Sequence, residues 1–256
     1  MKKISASIKN LIGEIRSPLI AVAGGFLIGG MIMLLAGYNP ITGYAALIDG
    51  AFGGKNSANL FGTFVRAAPI ISLSVAASIS FKGGFFNIGG EGQMVLGAVT
   101  STLVAIASPF PAGITAILCV LSAILVSGGY ALISAWMDVR YKIPVFISTL
   151  LLNYPANFFA TYLVNHPFRD VTSGMVQSRK IPDALQIPRI IPNTQFHAGI
   201  LLVPVLVLLA AFVFRYTMAG YKIRISGYNR SFLAYSGGDV QKLEYRVLFV
   251  SGAIAG

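Results

Sequence analysis

Phe81-Lys82-Gly83-Gly84-Phe85-Phe86-Asn87-Ile88-Gly89-Gly90-Glu91-Gly92-Gln93 separates two long apolar runs, and its reading decides what kind of chain this is. Five glycines fall within the ten residues 83–92, which makes a continuous helix costly. Asn87, Glu91 and Gln93 place polar groups at the same point. Non-helical backbone in a bilayer survives only in water, or where protein buries it or it lines a cavity. An ionised glutamate at bilayer depth is costly unless paired or functional. The residues alone leave two readings open: a pathway-lining helix break, or a glycine-rich cytoplasmic loop in which Lys82 and Glu91 are solvated.

The rest of the chain places this segment in a membrane protein. Of 256 residues, 55% are hydrophobic and only 11% charged, and the mean hydropathy is +0.76. Soluble domains carry roughly twice that charged fraction. Apolar stretches near 18–37, 60–81, 90–107, 111–137, 143–165 and 198–219, with another beginning near 246, are each read as a helical span. The expected fold is therefore all-α, a polytopic transmembrane bundle of about seven spans. The first run follows Lys2, Lys3, Lys9 and Arg16 as a signal peptide would. It is long enough to span and lacks a small-x-small exit, so it reads as an uncleaved helix. The stretch 40–52, with Pro40, Gly43 and Asp49, reads as an interfacial segment.

Charge gives the orientation. With the N-terminus cytoplasmic, that side holds Lys2, Lys3, Lys9, Arg16, Lys82, Arg140, Lys142, Lys222, Arg224, Arg230, Lys242 and Arg246. The other side holds Lys55, Arg169, Arg179, Lys180 and Arg189, while Arg66 and Arg215 sit near span ends. The bias predicts an N-in chain. The same placement excludes nucleic acid as a partner: the formal charge of +11 sits in short connectors, not in a stripe interleaved with aromatics. A lone cysteine, Cys119, lies in an apolar run. His166 and His197 both fall in one external connector, so neither a disulfide nor a metal or nucleophile site is expected.

Two connectors differ from plain loops. The external one, 166–197, contains Pro167, Pro182, Pro188 and Pro192 and should lie outside the membrane, with room for a short lateral helix. The internal one, 220–245, is basic with an apolar subset, Tyr228, Phe232, Leu233 and Tyr235, spaced to form a short amphipathic helix against another surface.

Phe81, Gly84, Phe86, Asn87, Ile88, Gly89, Glu91, Gly92 and Gln93 match, at fixed spacing, the F-x-x-G-x-F-N-I-G-x-E-G-Q signature of ATP-binding-cassette (ABC) importer permeases. The resemblance is to the ribose/branched-chain amino-acid superfamily, and within it to the simple-sugar and nucleoside branch that works with a binding lipoprotein. Thr149-Leu150-Leu151-Leu152-Asn153-Tyr154-Pro155-Ala156 resembles that family's T-x-M-L-N-Y-x-A run. Arg224-Ile225-Ser226-Gly227-Tyr228-Asn229, with Tyr235 and Gly237, resembles its R-x-x-G-x-N…Y-x-G coupling segment. Val145, Phe146, Pro155, Arg230, Phe232 and Leu233 depart from the pattern, which leaves the importer resemblance intact but weakens the transfer of substrate specificity.

The resemblance implies one permease domain over 1–256, with a cytoplasmic coupling segment at 220–245, in a bacterial cytoplasmic (inner) membrane. Because Val247–Gly256 reads as the opening of a helix, the expectation is a permease incomplete at its C-terminus. The implied partners are a cytoplasmic ABC ATPase, a second permease subunit (identical or not) and an extracytoplasmic substrate-binding lipoprotein, besides the lipid bilayer. No G-x-x-x-x-G-K-[ST] loop occurs. The chain is thus expected to be no enzyme and to carry no cofactor, with ATP and magnesium on the ATPase. The implied cargo is a nucleoside, with a simple sugar or flavin as alternatives in the same class and an ion-coupled transporter using Glu91 as the alternative from another. Phe86, Asn87, Glu91, Gln93, Asn153 and Tyr154 are the candidate pathway residues. Asn153 has the alternative of merely bonding a neighbouring helix. Arg224, Gly227, Asn229, Phe232 and Tyr235 are the candidate ATPase-coupling residues, and an ordinary positive-inside loop is their alternative.

Overall fold

The computed structural model shows the apolar runs as long helices that continue through interior prolines (Pro18, Pro69 and Pro155). It describes residues 2–53, 58–175 and 177–256, with side chains from Pro18 onward. Lys55, counted above toward orientation, lies outside the described residues. The chain forms two compact units, Met1–Thr63 and Phe64–Gly256.

In the first unit, α1 runs Lys2–Leu35 and α2 Pro40–Phe52. Proline at the first helical position and the Asn39 side chain, which accepts from the Ile41 amide at 2.9 Å, start α2. Its 13 residues reach only about 20 Å, too short for a hydrocarbon core of about 30 Å. The Tyr44 ring lies edge-on to Phe26 with centroids 5.2 Å apart, and its hydroxyl donates to the Phe26 carbonyl. Leu27, Ile32 and Leu35 of α1 are largely exposed, an arrangement that suits lipid and would be costly in water.

The following elements are α3 (Ala58–Lys82), α4 (Gly90–Ala107), α5 (Ala112–Tyr141), α6 (Val145–Asn165), α7 (Leu202–Tyr216), α8 (Met218–Tyr228), α9 (Arg230–Tyr235) and α10 (Val240–Ala255). Among the described residues five helical stretches are long and apolar enough to cross a membrane: Pro18–Leu35, Ala58–Lys82, Gly90–Ala107, Ala112–Tyr141 and Ala198–Tyr216. At 21 residues α6 has the length, but Asn153, Tyr154 and Asn157 in its middle turns lower its hydropathy. The 16-residue α10 begins at Val240, ahead of the apolar run expected from 246. The connector 166–197 contains no lateral helix among its described residues. It holds a 3-10 turn at Asp183–Leu185 and two isolated bridges, Arg169 to Ser178 and Arg189 to His197.

Small residues bring the helices of the second unit together. On α5, Ala123, Ser127, Gly128, Ala131, Ser134 and Ala135 are buried, and α10 answers with Ser251, Gly252 and Ala255. Close backbone approach of this kind is how helices associate where no hydrophobic force separates them from lipid. α5 also packs on α4, and α4 on α6. At the end of the bundle nearest the glycine-rich segment, Ile79, Phe85, Ala135, Val145, Phe214, Ile223, Val247 and Leu248 form a buried apolar cluster. This cluster holds the helix ends around residues 81–93.

Candidate functional site

The glycine-rich segment is a stop and restart of helix. At the end of α3, the Phe85 amide donates to the Ser80 carbonyl at 2.9 Å and the Gly84 amide to Phe81 at 2.9 Å. That is a Schellman ending. Gly84 supplies the left-handed residue it needs, at φ +80°. Phe85, only 1% exposed, anchors the turn in the apolar cluster. The non-helical stretch 85–89 then leads into α4. The N-cap of α4 is Gly89, whose lack of a side chain leaves the first amides of the helix uncapped from within.

Helix α6 satisfies one of these amides and part of the break itself from outside. Thr149, Asn153 and Asn157 stand four residues apart and so share one helix face. The Thr149 hydroxyl accepts from the Ile88 amide at 3.2 Å, and Asn153 Oδ1 accepts from the Gly92 amide at 2.9 Å. Asn153 Nδ2 donates to the Ile88 carbonyl at 3.3 Å, and Asn157 Nδ2 donates to Glu91 Oε1 at 3.1 Å. Glu91 sits exposed in the first turn of α4, where the positive end of the helix favours a carboxylate.

The six candidate pathway residues therefore separate. Asn87 (4% exposed) and Gln93 (2%) are interior. Asn87 Nδ2 donates to Gln93 Oε1 at 3.1 Å and to Ser251 Oγ at 3.0 Å, and its Oδ1 accepts from Gln93 Nε2 at 3.1 Å and the Gly89 amide at 2.9 Å. Ser251 passes a hydrogen bond to the Ala76 carbonyl at 2.9 Å, and Ser127 donates to the Gln93 carbonyl at 2.8 Å. This buried network ties α3, α4, α5 and α10 behind the break. Phe86, Glu91 and Tyr154 are exposed and Asn153 half-buried. Asn157, absent from the sequence-based set, was signalled by its spacing from Asn153. Ser127 and Ser251 carried no signal, since serines inside apolar helices usually bond their own backbone.

The connector 220–245 folds as two short helices ahead of α10 where one amphipathic helix was expected. Thr217 caps α8 by accepting from the Gly220 amide at 3.1 Å, and Asn229 caps α9 by accepting from the Phe232 amide at 3.0 Å. Ile223 and Leu233 point inward and are buried, while Tyr228, Phe232 and Tyr235 are exposed and Arg224 is solvent-facing. A Cβ on Gly227 would lie 2.2 Å from the Lys82 carbonyl oxygen, so only glycine allows α8 to meet the end of α3. Arg230 crosses the same gap: its Nη2 donates to the Gly84 carbonyl at 2.8 Å and its guanidinium lies 4.6 Å over the Phe85 ring.

Behind Arg230 sits a cavity of 330 Å³ lined by Asp138, Val139, Lys142, Arg230, Val240, Gln241 and Glu244. Glu244, in the first turns of α10 ahead of its apolar run, is 4% exposed and its Oε1 has no hydrogen-bond partner. Burial pushes this carboxyl up to about 8, helped by the Asp138 carboxylate and opposed by Arg230 and Lys142.

Five helical stretches of spanning length among the described residues, with a glycine-rich break between α3 and α4 whose backbone is satisfied by neighbouring helices, define a polytopic membrane protein. The chain belongs to the family of permease components of branched-chain amino acid transport systems, whose model matches residues 59–256. It is accordingly a multi-pass protein of the cytoplasmic membrane. It is 29% identical over 243 residues to the guanosine ABC transporter permease protein NupP of Bacillus subtilis (strain 168), covering 93% of this chain and 69% of that one. It is 27% identical over 249 residues to the glucose ABC transporter permease protein TsgB13 of Haloferax volcanii (93% and 65%). To the nucleoside ABC transporter permease protein NupB of Lactococcus lactis subsp. cremoris (strain MG1363) it is 28% identical over 248 residues (93% and 68%). The chain thus spans about two thirds of the length of these relatives. No solved structure matches it.

Proposed function

We propose that this chain is the membrane-spanning permease subunit of an ABC importer that brings a nucleoside into the cell. The observation that carries the reading is the polar group at the helix break, in which Asn153 meets the Gly92 amide and Asn157 meets an exposed Glu91, in a chain of this family. Amides, a carboxylate and a phenol offer hydrogen bonds to ribose hydroxyls and base edges, and aromatic rings offer faces for a base. Contacts of this kind are weak and multiple, as passage requires. Asn87 and Gln93 act from behind, holding the break in shape. The naming of two relatives for guanosine and for nucleosides supports this cargo. The relative named for glucose favours a second reading, a simple sugar.

The partners follow from the role. A cytoplasmic ATPase carries ATP and magnesium, a binding lipoprotein delivers cargo, and a second permease subunit supplies the facing wall. In the coupling segment 220–245, Phe232 and Tyr235 reach into the ATPase, while Arg224 and Asn229 flank them and Gly227 fixes the contact with α3. The test is uptake of labelled guanosine and glucose into vesicles holding the whole transporter with its ATPase and lipoprotein. ATP-dependent guanosine uptake, competed by other nucleosides, is expected. Uptake by this polypeptide alone under a proton gradient would sink the ABC reading, and preferential glucose uptake would sink the nucleoside reading.

A further inference from the structure

Arg230 stands where helix stability gives no reason for it. It opens α9, and a cation in the first turn faces the positive end of the helix. What it does instead is bridge. One face of its guanidinium covers the buried Phe85 ring, and an N–H reaches the carbonyl of Gly84, the left-handed residue at which α3 stops. A compact ammonium would not provide both a planar stack and a fixed donor.

Arg230 lines two cavities at once. One, of 250 Å³, also contains Gly84, Phe85, Phe86, Asp138, Pro144, Val145 and Phe146. The other, described above, holds Asp138, Lys142 and Glu244. The guanidinium thus lies between the helix break and a group of carboxyls on α5 and α10, with Lys142 as a second cation lining that second cavity. At the neighbouring turn Gly227 lies against the Lys82 carbonyl. The segment bearing the exposed Phe232 and Tyr235 therefore meets the break through a glycine contact and an arginine side chain.

We infer that Arg230 is a positioning residue that carries movement of the coupling segment to the helix break, turning displacement of α9 into a shift of Gly84–Ile88. This rests on the ABC-permease reading above but not on the cargo. A rigid tie of this kind needs its far end anchored, and the buried Phe85 supplies that anchor. At its near end Arg230 shares the second cavity with Asp138 and Glu244.

The test uses the complete transporter with Cys119→Ser and Ile88→Cys, since Ile88 is in the break and 39% exposed. The labelling rate of the thiol introduced at position 88 with a water-soluble maleimide is compared in nucleotide-free and vanadate-trapped complexes. With Arg230 present, trapping should change the rate at least fivefold; with Arg230→Ala, less than twofold, and Arg230→Lys should fall between. An unchanged rate in the presence of Arg230, or a full response in Arg230→Ala, overturns the inference. If Arg230→Ala does not assemble with the ATPase, Arg230→Lys decides: a full response refutes the tie, a reduced one supports it. Loss of assembly in both variants also refutes it, because Arg230 would then be a docking residue. Because labelling needs no cargo, absent nucleoside uptake refutes the cargo alone.

Discussion

Replacing Asn87 by alanine should unfold the break from behind. Four hydrogen bonds end on this side chain, to Gln93 twice, to Ser251 and to the Gly89 amide. Truncation strands the Gln93 side-chain carbonyl, the Gln93 side-chain amide and the Gly89 N–H, and Gln93 is only 2% exposed. Ser251 keeps its bond to Ala76, so it adds little. Each stranded buried group costs about 1 kcal/mol or more, and three give a destabilisation of about 3 kcal/mol. Unfolding of the purified chain in mixed detergent micelles, followed through its single tryptophan, Trp136, would read this directly. A double change, Asn87→Leu with Gln93→Leu, removes both partners and should cost less than the sum of the single changes by more than about 1 kcal/mol. A single-variant cost below about 1 kcal/mol, or strict additivity of the pair, would refute the idea that this network holds the break.

Glu91→Gln should behave oppositely, because the side chain is exposed and makes one hydrogen bond, from Asn157. Uptake should fall several-fold with insertion and melting temperature nearly unchanged, and wild-type uptake would count against a pathway role. Phe232→Asp with Tyr235→Asp alters side chains that are 56% and 92% exposed. Co-purification with the ATPase should drop at least tenfold, and an intact complex would overturn the docking assignment. Glu244 has a folded-state pKa of about 8 against an ordinary 4.5, so the folded chain holds the extra proton. Its contribution to stability is full below pH 4.5 and is lost as pH rises to about 8. The melting temperature should fall across that window, and Glu244→Gln should flatten the fall.

How much of this was legible in the chain depended on whether the signal was local. Helix positions came from apolar length, and α3, α4 and α6 start or stop within a few residues of the expected places. The misses have physical reasons. Helix α10 begins at Val240 because Asp239 caps it, accepting from the Lys242 amide at 3.0 Å, while hydropathy registers only the apolar run further on. The connector 220–245 became two helices because Asn229 is both the end of α8 and the N-cap of α9. A burial pattern cannot show such a break. Glu244 had no signal at all: its burial against Asp138 exists only once α5 and α10 pack.

The candidate site was legible as a set of residues, but not as two sides of one wall. Spacing alone placed Asn87 and Glu91 four apart, which in continuous helix would put them on the same face. The break removes that relation, since helix begins only at Gly90, and Asn87 is buried while Glu91 is exposed. The distinction bears on whether Glu91 pins the helix or meets cargo. Pinning is already accomplished by others: Asn153 satisfies the Gly92 amide, Thr149 the Ile88 amide, and Asn87 the Gly89 amide. A carboxylate that adds one hydrogen bond to a half-buried amide, at an exposed position, contributes little further to holding the break. Glu91 is exposed in the first turn of α4, so a fall in uptake without a fall in stability for Glu91→Gln is the result that separates a contact with cargo from a role in holding the break.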